Sequence, residues 1–175
     1  TGAPNEVFAV QTEIPEHRHA DKRPKQPGTF VVDSGANVTV CTQRRAFVEL
    51  DPTIRRTVAT ADSFAVSDGV GKIRIQVTDV NGNPYIMERE GVLFFPGFKQ
   101  CLLSMMDECT RYQTDLKFSS RGKGSCQAEL ITADGKELQV YMDRRRFEIF
   151  YEIPRSNETK IVQYTSNPYT GATAF

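Results

Sequence analysis

Asp33-Ser34-Gly35 stands directly after the apolar run Phe30-Val31-Val32. A carboxylate in that setting sits on a tight loop at the end of a buried strand. The neighbouring hydroxyl can brace the loop by hydrogen bonding. The glycine lets the backbone turn and leaves its amide free to approach the carboxylate. Hydrolysis by an aspartate-activated water needs such a loop twice over. Two carboxylates at about 3 Å cannot both ionise, so one keeps a proton while the other activates the water, and the pair titrates as a unit. The tripeptide also occurs in ordinary turns, and it resembles a phosphodegron core centred on Ser34. A degron should be exposed and disordered, whereas Phe30 to Val32 and Val38 to Val40 on either side are apolar.

Other chemistries find little support. The only histidines are His17 and His19, both in a polar leader. A Ser-His or Cys-His mechanism would have to draw its base from there. The His-x-His spacing can seed a metal site, but no cysteine neighbours it, and solvated loop histidines are the expectation. The four cysteines, Cys41, Cys101, Cys109 and Cys126, form no Cys-x-x-Cys pair. They read as reduced thiols in a cytosolic setting. No metal and no cofactor is expected.

The whole chain must supply the elements that hold Asp33. Its 175 residues are 39% hydrophobic and 25% charged, enough for one modest domain with a real core. Lys plus Arg and Asp plus Glu both number 22. That balance speaks against a whole-chain grip on nucleic acid or an anionic membrane. Runs such as Val92-Leu93-Phe94-Phe95 are too short to span a bilayer. With no signal-peptide pattern and no initiator Met, the chain is expected to be a cytoplasmic fragment or processed piece.

Four of the nine prolines fall before Thr29, so residues 1–29 read as an extended arm, with Val7 to Val10 as a possible edge strand. Its basic residues Arg18, Lys22, Arg23 and Lys25 lack interleaved aromatics and suit a solvated linker better than an RNA tail. Strand texture follows. Gln43 to Leu50 suggests a short helical turn, and Thr57 to Val66 one strand. Ser67 to Gly71 suggests a turn, and Lys72 to Val77 an alternating strand with Ile73, Ile75 and Val77 on one face. Asn81 to Pro84 is a second turn. Ser104 is expected to cap a helix. Later strands cover Leu116–Phe118, Cys126–Ile131, Glu137–Tyr141 and Phe147–Ile153, with Asp134-Gly135 as a hairpin turn. Arg55-Arg56 and Arg144-Arg145-Arg146 read as solvated faces.

The Gly-rich tip Asp68-Gly69-Val70-Gly71 suits a flap over a cleft. Together with Val31-Val32-Asp33-Ser34-Gly35-Ala36, Ala59 to Asp62, Gly91 to Phe98 and Leu102-Leu103-Ser104, it resembles the copia-type LTR-retrotransposon proteases of the retropepsin-like aspartic protease family. The resemblance runs from about Thr29 to Thr114 and more weakly to Tyr151. It implies a mainly β, closed retropepsin-like barrel with one short helix. It implies Asp33 as the catalytic residue, with Ser34, Gly35 and Ala36 completing its loop. Asp68, Gly69, Val70 and Gly71 would form the flap, and Leu102, Leu103 and Ser104 would pass near the active-site loop. Many retropepsins carry Gly where Ser104 stands.

Pepsin-like chains hold two such aspartate loops and are about twice as long. One loop here implies a homodimer, each chain giving Asp33 across a two-fold axis. The expected function is an endopeptidase that processes a retrotransposon polyprotein, with no membrane partner, no nucleic acid bound by this domain itself, and a cytoplasmic or virus-like-particle location. A catalytically silent peptide-binding or scaffold module of the same fold, and an unrelated β-rich interaction domain, remain the rivals. The expected boundaries are an arm at 1–29, a protease domain at 30–153 and a polar tail at 154–175.

Overall fold

The computed structural model describes residues 28–60, 62–120, 126–143 and 146–165. The histidines, the leader strand and the basic arm lie outside the described residues, as do Ala61, Arg144-Arg145 and residues 166–175.

The chain is mainly strand, with one short helix. In order come β1 (Gly28–Asp33), β2 (Val40–Cys41), a single 3₁₀ turn at Arg44–Ala46, and β3 (Phe47–Asp51). Then follow β4 (Thr57–Ala59), β5 (Phe64–Val66), β6 (Val70–Thr78), β7 (Pro84–Phe94) and β8 (Cys101–Ser104). After α1 (Met105–Arg111) come β9 (Asp115–Ser120), β10 (Cys126–Ile131), β11 (Glu137–Leu138), β12 (Tyr141–Asp143), β13 (Arg146–Tyr151) and β14 (Lys160–Ile161).

The longest pairing is β6 with β7, antiparallel. Alternation dictates it: Ile73, Ile75 and Val77 bury one face of β6 completely, while Lys72 and Arg74 on the other reach Glu88 at 3.1 and 2.6 Å. The turn between them is organised by Asp79, whose Oδ1 accepts the N–H groups of Asn81 and Asn83 at 2.9 and 2.8 Å. The strand expected at Tyr85 to Glu90 and that expected at Val92 to Phe95 are one strand. Gly91, at φ 67°, absorbs the register shift that joins them.

Nine strands lie in the order β12-β13-β1-β8-β2-β7-β6-β3-β14. A three-stranded sheet, β11-β10-β9, and the β4-β5 hairpin complete the architecture. An antiparallel bridge between Gln76 and Glu152, with N–H···O distances of 2.9 and 2.8 Å, also ties β6 to the residue after β13. The main core gathers Phe30, Phe47, Ile75, Leu103, Leu130, Ile149 and Tyr151, among others. Each large apolar side chain so buried contributes about 1.5–3 kcal/mol.

Further sequence expectations change. The helical turn at Gln43 to Leu50 shrinks to the 3₁₀ turn, because Phe47 and Leu50 face the core from β3. The strand at Thr57 to Val66 is a hairpin, closed by Thr60, whose hydroxyl accepts from the Ser63 amide at 3.1 Å and whose N–H donates to the Ser63 carbonyl at 2.7 Å. Residues 154–165, read as the start of a tail, dock on the sheet. Asn157 Nδ2 donates to the Arg74 carbonyl at 2.8 Å, Thr159 Oγ1 to the Phe47 carbonyl at 2.9 Å, and β14 adds to β3 in parallel.

Candidate functional site at the Asp33 loop

β8 is inserted between β1 and β2, two strands that are consecutive in sequence. It runs parallel to β1 and antiparallel to β2. The parallel register pairs Phe30 with Cys101 and ends by pairing Asp33 with Ser104. Apolar Phe30 and Val31 are buried, which fixes the strand and leaves Asp33 at its end, half-buried.

There the chain turns back on its own carboxylate. Asp33 Oδ1 accepts the Gly35 N–H at 2.8 Å and the Ala36 N–H at 3.2 Å. Gly35 and Ser34 are exposed. The next atoms of the loop are held from behind. Ser104 Oγ donates to the Ala36 carbonyl at 2.7 Å and accepts the Asp107 N–H at 3.1 Å. One hydroxyl thus braces the loop and caps α1. The Ser104 N–H donates to Thr39 Oγ1 at 3.1 Å, and the Thr39 carbonyl accepts the Leu93 N–H at 3.0 Å. Ser104 and Thr39 are buried, and so is Leu103. Leu102 is half-buried and packs against a second apolar cluster of Val40, Val70, Leu93 and Phe95.

α1 is held in turn by a buried ion pair. Arg89 Nε and Nη2 donate to the two oxygens of Glu108 at 2.6 and 2.8 Å, and Thr114 Oγ1 donates to Glu108 Oε2 at 2.9 Å. Glu108 is fully buried. The Arg89 guanidinium also lies 4.2 Å from the centre of the Tyr112 ring. On the same helix, burial pushes the Asp107 carboxyl up from its ordinary value.

The structure brings Asp33, Ser34, Gly35, Ala36 and Leu102 to Ser104 into one constellation. Of Asp68 to Gly71, Val70 joins the apolar cluster on which Leu102 and Val38 pack, and none of the four forms a projecting tip. Val70 and Gly71 are buried within β6, between β3 and β7. A Cβ on Gly71 would stand 2.0 Å from the Glu49 carbonyl oxygen, so glycine serves close strand packing there. Asp68 is exposed and pairs with Arg55 at 2.9 Å, while its N–H donates to the Phe94 carbonyl. The β4-β5 hairpin is a separate two-stranded sheet. Its inward residues Val58 and Ala65 pack on the second apolar cluster, which Val38 from the Asp33 loop also joins. Its outward residues include Phe64, 78% exposed, and Val66.

Sequence reasoning missed Thr39, which stands in for a backbone partner at Ser104, and the Arg89–Glu108 clamp. Thr39 reads as an ordinary strand residue, and no local spacing links Arg89 to Glu108. No helix among the described residues is long and apolar enough to cross a membrane.

No curated protein and no solved structure gives a match. Residues 30–112, spanning β1 to the end of α1, match the family model of the Pol polyprotein beta-barrel domain, which supports a region of a retrotransposon or retroviral Pol polyprotein.

Proposed function

We propose that this chain is the aspartic endopeptidase of a retrotransposon polyprotein, active as a homodimer. The observation that carries the reading is the Asp33 loop. It holds a half-buried carboxylate that accepts two backbone N–H groups through one oxygen, with Ser104 bracing the loop from behind. In the dimer each chain contributes one Asp33. A water between them attacks the scissile carbonyl, one carboxylate acting as general base and the other as general acid, without a covalent intermediate. The substrate is an extended peptide laid as a strand between this floor and the covering hairpins. The β4-β5 hairpin, rather than residues 68–71, takes the covering role, because it forms a sheet of its own with Phe64 and Val66 exposed. The Gln76–Glu152 bridge, which joins β6 to the residue after β13, supports reading the sheet as a closed barrel.

The test is Asp33→Asn. Cleavage of a peptide drawn from the element's own polyprotein should fall by about a thousandfold or more, with the far-ultraviolet circular dichroism unchanged. Full activity in that variant would refute the assignment. A wild-type dimer that binds extended peptide but never cleaves it would leave the silent peptide-binding module instead. A strict monomer at high concentration in sedimentation would favour an unrelated interaction domain.

A further inference from the structure

Cys41 and Cys101 have no part in the proposed cleavage, yet the strand insertion that places Ser104 beside Asp33 also sets them face to face. β2 and β8 are antiparallel with Val40 opposite Leu102, which puts Cys41 directly opposite Cys101. Their sulfurs are 3.9 Å apart. Directly opposed antiparallel residues have Cα atoms about 4.5–5.5 Å apart, within the roughly 4.4–6.8 Å that a disulfide spans. Closing the bond therefore takes a movement of the sulfurs rather than of the strands.

The surroundings distinguish the two thiols. The Thr42 N–H and Oγ1 lie 3.3 and 3.4 Å from the Cys101 sulfur, and the Tyr151 hydroxyl 3.6 Å away. Contact with Cys41, followed by the Thr42 groups, holds Cys101 below the ordinary thiol range. The same contact and burial push Cys41 up. Two thiols face each other at contact distance, the arrangement that thiol–disulfide chemistry uses.

We propose that Cys41 and Cys101 form a reversible dithiol–disulfide site, closed by hydrogen peroxide, that covalently joins β2 to β8. Cys101 gives up its proton, and the thiolate so formed attacks one peroxide oxygen. The O–O bond breaks, an S–O bond forms, and the departing hydroxide leaves as water after taking a proton, giving a sulfenic acid. Cys41 then loses its proton and attacks the Cys101 sulfur. The S–O bond breaks, the S–S bond forms, and a second water leaves. Two thiols are oxidised by two electrons in all, and one peroxide is reduced to two waters. Both cysteines are buried, so peroxide enters through local opening and the exposed Cys109 reacts sooner.

The test uses the full chain carrying Cys109→Ser and Cys126→Ser, so that only the proposed pair can respond. The protein is treated with hydrogen peroxide, quenched by alkylation in denaturant, and analysed by intact mass and peptide mapping. The expected result is a mass lower by two hydrogen atoms, no alkylation, and a linked peptide joining residues 41 and 101, all reversed by dithiothreitol. Adding Cys41→Ser should instead leave oxygen adducts on Cys101. Alkylation of both cysteines after peroxide, or oxygen addition without a linked peptide, would overturn the proposal. None of these readouts depends on peptide cleavage, so the site stands or falls separately from the proposed activity.

Discussion

The Asp33 loop and the β4-β5 hairpin rest on the same apolar cluster, one through Val38 and the other through Val58 and Ala65. They are restrained very differently. The loop is closed by its own backbone N–H groups and tied to two neighbouring segments, to Ser104 at the end of β8 and through Thr39 to the β7 strand. The hairpin forms a separate two-stranded sheet, with only its inner residues packed. Two-stranded ribbons are marginal on their own. The Asp33 loop is thus cross-tied to strands far from it in sequence, whereas the hairpin's hydrogen bonds to Ser67 lie at its base and its outer residues stay open.

The largest stability effect should come from beneath the floor. Arg89→Ala leaves the Glu108 carboxylate buried without its cation, a loss of about 3–5 kcal/mol, read as a fall in the urea midpoint. A loss below about 1 kcal/mol would mean that the floor is no better anchored than an exposed pair. Next comes Ser104→Ala, which removes the helix cap and the contact to the Ala36 carbonyl together. Its cost should be about 1–2 kcal/mol, with a fall in peptide cleavage beyond what the lost stability explains.

Asp51 sits where β3 gives way to the segment leading into the hairpin, and it tests that boundary by pH. Burial raises its pKa, but hydrogen bonds from Thr53 and from the Tyr164 N–H outweigh this and hold it below the ordinary carboxylate value. A depressed folded-state pKa contributes stability above the unfolded value, and that stability is lost as pH falls through the folded one. The gap in urea midpoint between wild type and Asp51→Asn should therefore be widest near neutrality and close in acid. A gap independent of pH would assign the effect to shape rather than charge. The smallest stability change belongs to Phe64→Ala on the open face of the hairpin. It should shift stability by no more than about 0.5 kcal/mol while raising KM for extended peptides. A large stability loss would show the hairpin to be as firmly built as the loop.

Much of this was legible in the residues. Alternation at Ile73, Ile75 and Val77 marked β6, Asn81 to Pro84 marked the turn after it, and Ser104 announced a helix start. The Asp33 loop followed from three adjacent residues and the apolar strand before them. The hairpin was misplaced because Thr60 and Ser63 form a turn without glycine or proline, whereas the glycines at 69 and 71 look like a turn but serve close strand packing. The docking of residues 154–165 escaped notice because it depends on side chains meeting backbone carbonyls more than 80 positions away in sequence, Asn157 on Arg74 among them. The Arg89–Glu108 clamp is likewise long-range and leaves no period to read.

β1 lies between β8 and β13, and its pairing with β13 runs from Gly28 opposite Tyr151 to Val32 opposite Phe147. During synthesis the strand that ends in Asp33 therefore leaves the ribosome long before one of its two neighbours. Closing a loop of that length is entropically slow, and chains dominated by such distant pairings fold late. Asp33 would acquire its finished setting only after the residues around 150 have been made, which delays any catalysis until the nascent chain has grown well past the loop itself.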